Sequence, residues 1–401
     1  MNIKERVLSA IKFKGVDRIP TAYRGLECFS DKLMKYFEFK DYKNYEGHYR
    51  EFLKKLGADF WGNGWTPSNF SFFMPTCNCI APEQPYIKDS VYFYTLGLHA
   101  TVKTLEEYNY TYPNWVNPPL ANIESENDLK EGYLTSKLDS FDFTNYFNMR
   151  LFETKESQKS HLKTENIDFD LISFEKIKDS DEEFITIGLL NEPFILCCYL
   201  RGMESFLMDL AINKKLAEKL INEVAEFCIE FNRRELENFG DKAEWYGIWD
   251  DVAGQNGLLF DPKLFHKYFY PIYYKLIENA KKYNLITSFH CCGSVHDILP
   301  SLIDAGLDVF NVVQTSAKDM ELEKVYKRYG KNICFDGAID VQKLLTCGKP
   351  KDIDEEVKKI VSLWGNDGGI IVAPSHEVLP ETPTDNVITL YKAVKKYSLA
   401  H

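Results

Sequence analysis

The sequence predicts an α/β protein, a single (β/α)8 TIM barrel with a lid-like insertion between its second and third strands. Three observations predict it. The second half alternates short apolar runs with amphipathic stretches, which is the signature of parallel βαβ units. Eight such runs can be picked out along the chain, the number that closes a barrel. A length of 401 residues is long for an ordinary domain but normal for one barrel carrying an insertion.

The first two strands are read at Arg18–Arg24 and Asp59–Gly62, separated by a helical stretch over Tyr45–Leu56. The remaining six fall at Phe184–Leu190, Ala243–Trp249, Leu285–His290, Asp308–Val313, Asn332–Phe335 and Gly369–Ala373. Helical patterns separate them at Glu204–Phe239, Pro262–Tyr283, Val295–Asp304, Met320–Tyr329 and Ile353–Trp364, with a last helix after Pro383. Between strands two and three lie about 120 residues that fit no βα unit. Val91–Val102 reads there as a strand or hairpin, and Pro113–Glu182 is rich in Asn, Glu, Asp, Ser and Lys. The expectation is therefore one domain over residues 1–401, with an insertion at about 65–182 covering the barrel as a lid.

Composition excludes several classes of function. Lys and Arg number 48 against 60 Asp and Glu, for a net charge of −12, and no basic run offers a stripe to track phosphates. Nucleic acid is not an expected partner. No run of 18 apolar residues occurs, so no membrane partner is expected either. The N-terminus, Met1-Asn2-Ile3-Lys4-Glu5-Arg6, mixes both charge signs; a cytoplasmic location is the expectation. Ten cysteines in such a chain read as reduced thiols rather than a disulfide framework. A homodimer stays open as the assembly.

Chemistry on such a barrel gathers where the strands end. Strand three is followed by Asn191-Glu192, strand four by Asp250-Asp251 and Gln255, strand five by His290-Cys291-Cys292, strand six by Gln314, strand seven by Asp336, and strand eight by Ser375-His376-Glu377. Side chains alternate along a strand, so His290 and Cys292 project to one side and Cys291 to the other. An imidazole and a thiol converging at a strand end make half of a zinc site, or else a packed thiol beside a hydrogen-bonded histidine. His376, after the apolar run Gly369–Pro374, faces the same rim and is the expected third ligand, the alternative being a histidine bonded to a nearby carbonyl. Of Asp250 and Asp251, at most one faces the axis while its neighbour caps a turn or helix start. An inward carboxylate there would orient substrate, take a proton or hold a ligating histidine. Glu192 is read as catalytic, as a fourth zinc ligand, as a hydrogen-bonder of substrate, or as a structural partner of Arg201. Aromatic residues crowd the same region, with Trp61, Trp65, Phe70, Phe72, Phe73, Tyr246 and Trp249, which suits a flat apolar ligand.

Several of these segments together resemble the uroporphyrinogen decarboxylase superfamily, and more particularly its corrinoid-linked methyltransferase branch. The carriers are Leu200-Arg201-Gly202-Met203-Glu204-Ser205-Phe206, Asp250-Asp251 with Gln255-Asn256-Gly257, Phe289-His290-Cys291-Cys292-Gly293-Ser294, Asp336-Gly337-Ala338-Ile339-Asp340, and Ala373-Pro374-Ser375-His376 with Thr382-Pro383-Thr384-Asp385-Asn386. The resemblance implies that His290 and Cys292 bind a catalytic zinc and that the third ligand falls on His376, where the thiol-methylating enzymes commonly carry cysteine. Of the arginine-rich segment with which true decarboxylases hold porphyrinogen carboxylates, only Arg24 remains in Thr21–Leu26; it is expected to bind substrate, and tetrapyrrole decarboxylation is not expected. Two neutral imidazoles and one thiolate would leave a zinc centre at about +1, a strong Lewis acid toward an ether oxygen.

The expected function is thus zinc-dependent demethylation of a small methoxylated, aromatic substrate, by methyl transfer to the Co(I) of a separate corrinoid protein. No Asp-x-His-x-x-Gly cobalamin motif occurs in this chain. The alternatives are a methylcobamide:thiol methyltransferase and a ligand-binding member that transfers no methyl group. The expected catalytic residues are Asp250, Asp251 and Glu192. Asn191, Tyr246, Trp65, Gln314 and Arg24 are expected to bind substrate, and His290, Cys292 and His376 to hold the metal.

Overall fold

The computed structural model describes residues 1–40, 45–61, 73–77, 86–88, 91–93, 95–96, 100–101, 103–105, 110–112, 118–148, 182–188 and 190–398. Within them lie eight parallel strands of a barrel: β1 (Ala22–Tyr23), β2 (Phe60–Trp61), β3 (Thr186–Ile187), β4 (Trp245–Trp249), β5 (Ile286–His290), β6 (Val309–Val313), β7 (Cys334–Ile339) and β8 (Ile370–Pro374). β3 through β8 form one parallel sheet in chain order, and β1 pairs with β2. Isolated bridges from Thr21 to Val372 and from Gly25 to Val378 join the two sets. The order is therefore that of a TIM barrel, with no ladder between β2 and β3 among the described residues.

The strands are short because the sequence interrupts them. β3 is two residues where seven were expected: Gly188 and Leu190 both adopt positive φ, which ends the extended run. A Cβ on Gly188 would stand 2.2 Å from the Gly247 carbonyl oxygen, so β3 and β4 approach closely only because this side chain is missing. The helix expected over Glu204–Phe239 is two helices, Met203–Ile212 and Lys214–Phe239, broken at Asn213. The Pro262–Tyr283 stretch contains a π-helical turn at Phe265–Phe269 before the regular helix Tyr270–Lys282. Pro271 cannot donate a backbone bond, so the ladder loosens just ahead of it.

Alternation sorts the strand residues into two layers. Ala22, Phe60, Phe184, Trp245, Ile286, Val309, Cys334, Ile371 and Ala373 point inward and pack with Val7 and Ile11 of the helix Ile3–Ile11, which stops the lower end of the barrel. The outward set, including Tyr23, Ile187, Tyr246, Ile248, Phe289, Phe310, Phe335 and Val372, packs beneath the helices. Inside, the character changes along each strand. One step up, Ala22 gives way to Arg24, Val309 to Asn311 and Cys334 to Asp336, and Ile286 to Ser288 and then His290. An apolar floor thus carries a polar upper storey at the C-terminal end.

The insertion is described only in part. Its strand Phe141–Asn148 pairs antiparallel with Phe73–Cys77. Residues 118–148 lie along the helix Lys214–Phe239, where Phe141 and Phe143 meet Phe231 edge-on, each at 5.1 Å between ring centres. The Arg201 guanidinium donates to the carbonyls of Leu120 and Ala121, both at 2.8 Å. The described residues 118–148 pack on the outer flank of the barrel, with Leu120, Leu129, Leu134 and Leu138 buried in the helix-layer core, and the rest of the expected lid lies largely outside the described residues.

Candidate functional site

The polar upper storey is built from residues in register across neighbouring strands. Trp249 of β4 pairs with His290 of β5, His290 with Asn311 of β6, and Asn311 with Asp336 of β7. Register alone brings these side chains to one level of the barrel. Just beyond His290 the chain turns at Gly293, whose φ of +88° and close approach to Gly254, with a virtual Cβ 2.4 Å from its carbonyl oxygen, admit no side chain. Cys292 therefore stays beside His290, with its sulfur 3.8 Å from His290 Nε2. The Asp251 carboxylate accepts a 2.7 Å bond from the Cys292 backbone N–H.

One ligand atom from each of Asp251, His290 and Cys292 lies within 4.8 Å of the other two, forming a group of possible metal ligands among the described residues. His290 Nδ1 is hydrogen-bonded to Asn311 Oδ1, so the ring presents Nε2 toward Cys292. The donor set suits zinc. Bonds of 2.0–2.3 Å in a tetrahedron place ligand atoms about 3.3–3.8 Å apart, and nitrogen, sulfur and carboxylate oxygen are its ordinary ligands. Burial and the neighbouring Asp251 carboxylate push the Cys292 thiol up, and burial pulls the His290 imidazole down. A cation held between them would reverse the first effect, because the thiolate would then be a ligand rather than a buried, repelled anion.

His376, the expected third ligand, lies outside that 4.8 Å group. It is half-buried on the turn after Pro374, its protonated form disfavoured by burial and favoured by the charge of Asp251 and a hydrogen bond to the Glu377 backbone. Among the described residues Asp251 takes the third place in the group.

The adjacent carboxylates have separate surroundings. Asp250 is buried and accepts bonds from the backbone N–H groups of Phe194 at 2.7 Å and Ile195 at 2.8 Å and from the Tyr273 hydroxyl at 2.6 Å. Its expected catalytic role gives way to a structural one, since its oxygens anchor the start of the helix Pro193–Arg201. Burial raises it to about 7 against those three bonds. Glu192, half-buried at the cap of the same helix, is raised to about 8 by desolvation and then by the charges of Asp250 and Asp251. It holds a proton at neutral pH.

The expected substrate-binding residues fare differently. Tyr246 points outward, buried among residues of the helix Lys214–Phe239, with Asn191, Asn232 and Glu235 around its hydroxyl. Strand alternation puts Tyr246 behind the wall, away from the expected substrate contact, and Asn191, buried just past β3, lies near its hydroxyl. Trp249, two residues after Gly247 on the inward face, is the aromatic side chain at the level of His290. Arg24 is wholly buried, ion-paired with Asp336 and bonded to the Pro374 carbonyl at 3.1 Å; its charge is committed within the protein rather than to a substrate. Gln314 Oε1 accepts from Gln255 Nε2 at 3.0 Å and from the Gly293 backbone N–H at 2.8 Å, so it fastens the turn that carries Cys292. Trp65 lies outside the described residues. Asn311 was missed by sequence reasoning. Its signal was a lone amide at an inward position of an apolar strand.

Comparison with known proteins agrees with this architecture. A family model described as uroporphyrinogen decarboxylase (URO-D) matches residues 145–397. The chain is similar to a uroporphyrinogen decarboxylase of Trichodesmium erythraeum, at 24% identity over 230 residues covering 55% of this chain and 60% of that protein. It is similar to a methylcobamide:CoM methyltransferase, MtaA, of Methanosarcina barkeri, at 27% identity over 212 residues covering 53% and 58%. It thus spans about 60% of the length of the curated relatives it matches. A solved methyltransferase from Methanosarcina mazei superposes with a TM-score of 0.59 at 18% identity, covering 99% of both chains, a likeness of fold.

Proposed function

Since the chain belongs to the uroporphyrinogen decarboxylase family, we propose that it is a zinc-dependent methyltransferase that demethylates a small methoxylated, aromatic substrate, passing the methyl group to the Co(I) of a separate corrinoid protein. The observation that carries this reading is the Asp251, His290 and Cys292 group at the C-terminal end of the barrel strands. Asp251, His290 and Cys292 would hold the zinc, which would supply Lewis acidity toward the ether oxygen. The oxygen–methyl bond breaks with its electron pair staying on oxygen, and that oxygen needs a proton. Glu192, whose carboxyl burial raises to about 8 in the metal-free protein, would supply it as the general acid. Trp249 would offer a face for an aromatic ring, and His376, outside the ligand group, would orient the leaving oxygen.

The test is metal content together with methyl transfer. Purified protein is expected to hold about one zinc per chain, and His290→Ala, Cys292→Ser and Asp251→Ala to lose it, while His376→Ala keeps the metal and loses turnover. With Co(I) cobalamin and a panel of methoxyarenes, methylcobalamin should form only with the metal-loaded protein. A zinc-free protein, or transfer unaffected by Cys292→Ser, overturns the reading.

One observation favours a second reading. A carboxylate in place of the second imidazole brings a loaded centre to about zero charge, less electrophilic than the +1 expected from two imidazoles and close to that of a thiol-activating site. Methyl transfer from methylcobalamin to a thiol, without activity on any ether, would establish it. Glu192 weighs against it, because a thiol acceptor must lose a proton and a departing oxygen must gain one.

A further inference from the structure

The imidazole of His290 is the end of a buried chain of polar groups whose other end lies on the first and last strands. Arg24 Nη2 pairs with Asp336 Oδ2, both residues at 0% exposure, and Arg24 Nη1 donates to the Pro374 carbonyl. Asp336 Oδ2 also accepts from Asn311 Nδ2 at 2.8 Å. Asn311 Oδ1 faces His290 Nδ1. All of these side chains are buried.

We propose that Arg24, Asp336 and Asn311 form a positioning relay that fixes His290 in the tautomer bearing its proton on Nδ1, so that Nε2 always presents a lone pair toward Cys292 and Asp251. The polarity of the chain leaves no choice. A guanidinium only donates, so the Asp336 oxygen that meets it accepts. Facing that carboxylate, the Asn311 amide must turn its NH2 group toward Asp336, which leaves its carbonyl oxygen toward the ring. A carbonyl oxygen only accepts, so Nδ1 must be the protonated nitrogen. An arginine and an aspartate that reach no substrate thereby decide the protonation of a histidine across two strands.

The inference rests on the zinc reading only for its purpose; the tautomer itself is a property of the metal-free protein. Metal-free protein labelled with 15N-histidine is therefore examined by long-range 1H–15N correlation. His290, assigned by its loss in His290→Gln, is expected as the Nδ1–H form. Asp336→Asn removes the fixed acceptor, lets the Asn311 amide turn over, and is expected to give a mixture of both forms. Asn311→Leu, which leaves the ion pair intact, is expected to do the same and guards against misfolding of the first variant. Zinc affinity, read by competition with a chromogenic chelator, should fall about 10–100-fold in either variant. A wild-type ring in the Nε2–H form, or variants whose ring keeps the wild-type tautomer, overturns the relay even if zinc binds. A fixed Nδ1–H ring that the variants release, in a protein that binds no zinc, supports the relay and overturns the zinc reading instead.

Discussion

Adjacent residues with one chemistry can hold opposite offices, and Asp250 and Asp251 divide by the side of the backbone from which each leaves β4. The sequence shows that division, since neighbours on an extended chain diverge, but not which is which, because that depends on where the helix Pro193–Arg201 begins in space. Tyr246 was legible by the same rule and was placed wrongly by aromatic crowding. Glu192 gives a measurable consequence. Its folded value of about 8 lies above the ordinary 4.5, so below pH 4.5 folded and unfolded chains are both protonated and nothing is lost. From pH 4.5 to 8 the unfolded chain has released the proton that the folded one keeps, so stability falls as pH rises and levels off above 8. In metal-free protein, Glu192→Gln should match wild type at pH 4.5 and melt about 2–4 °C higher at pH 8.5 by scanning calorimetry. Equal shifts at both pH values would show that Glu192 is not held protonated.

At the scale of elements, the helix Pro193–Arg201 begins on two backbone N–H groups held by Asp250, and Tyr273 ties the same carboxylate to the helix Tyr270–Lys282. Asp250→Ala strands three buried donors, and urea denaturation should show a loss of about 3 kcal/mol. Tyr273→Phe removes one bond and should cost about 1 kcal/mol. Both variants should keep their metal, which separates this anchor from Asp251. Strand order and most helix ends were legible in apolar periodicity and in proline. Strand lengths were not, because Gly188 and Leu190 end β3 by backbone conformation rather than by polarity. Nor was the break at Asn213, since nothing in a long amphipathic run distinguishes one helix from two laid end to end.

Over the whole molecule, residues 118–148 of the insertion share a core with the barrel's helices, and Arg201 is a bolt between them. It ties Asp209 at 2.7 Å as well as two carbonyls of the insertion. Arg201→Ala should cost about 2–4 kcal/mol and raise hydrogen exchange in residues 118–148 ahead of the barrel strands; uniform exchange would show that the two unfold as one. The eight-stranded plan was readable from the alternation of elements, whereas the insertion's placement was not, because its apolar residues follow no period that names their partner. The bridges that seat β1 against β8 impose an order on events during synthesis. Asp251, His290 and Cys292 leave the ribosome well before residue 374, yet Arg24 waits for that late segment to find its seat. Contacts spanning nearly the full sequence close slowly, so a nascent chain displays these three side chains long before the arginine end of the relay proposed for the imidazole can be seated.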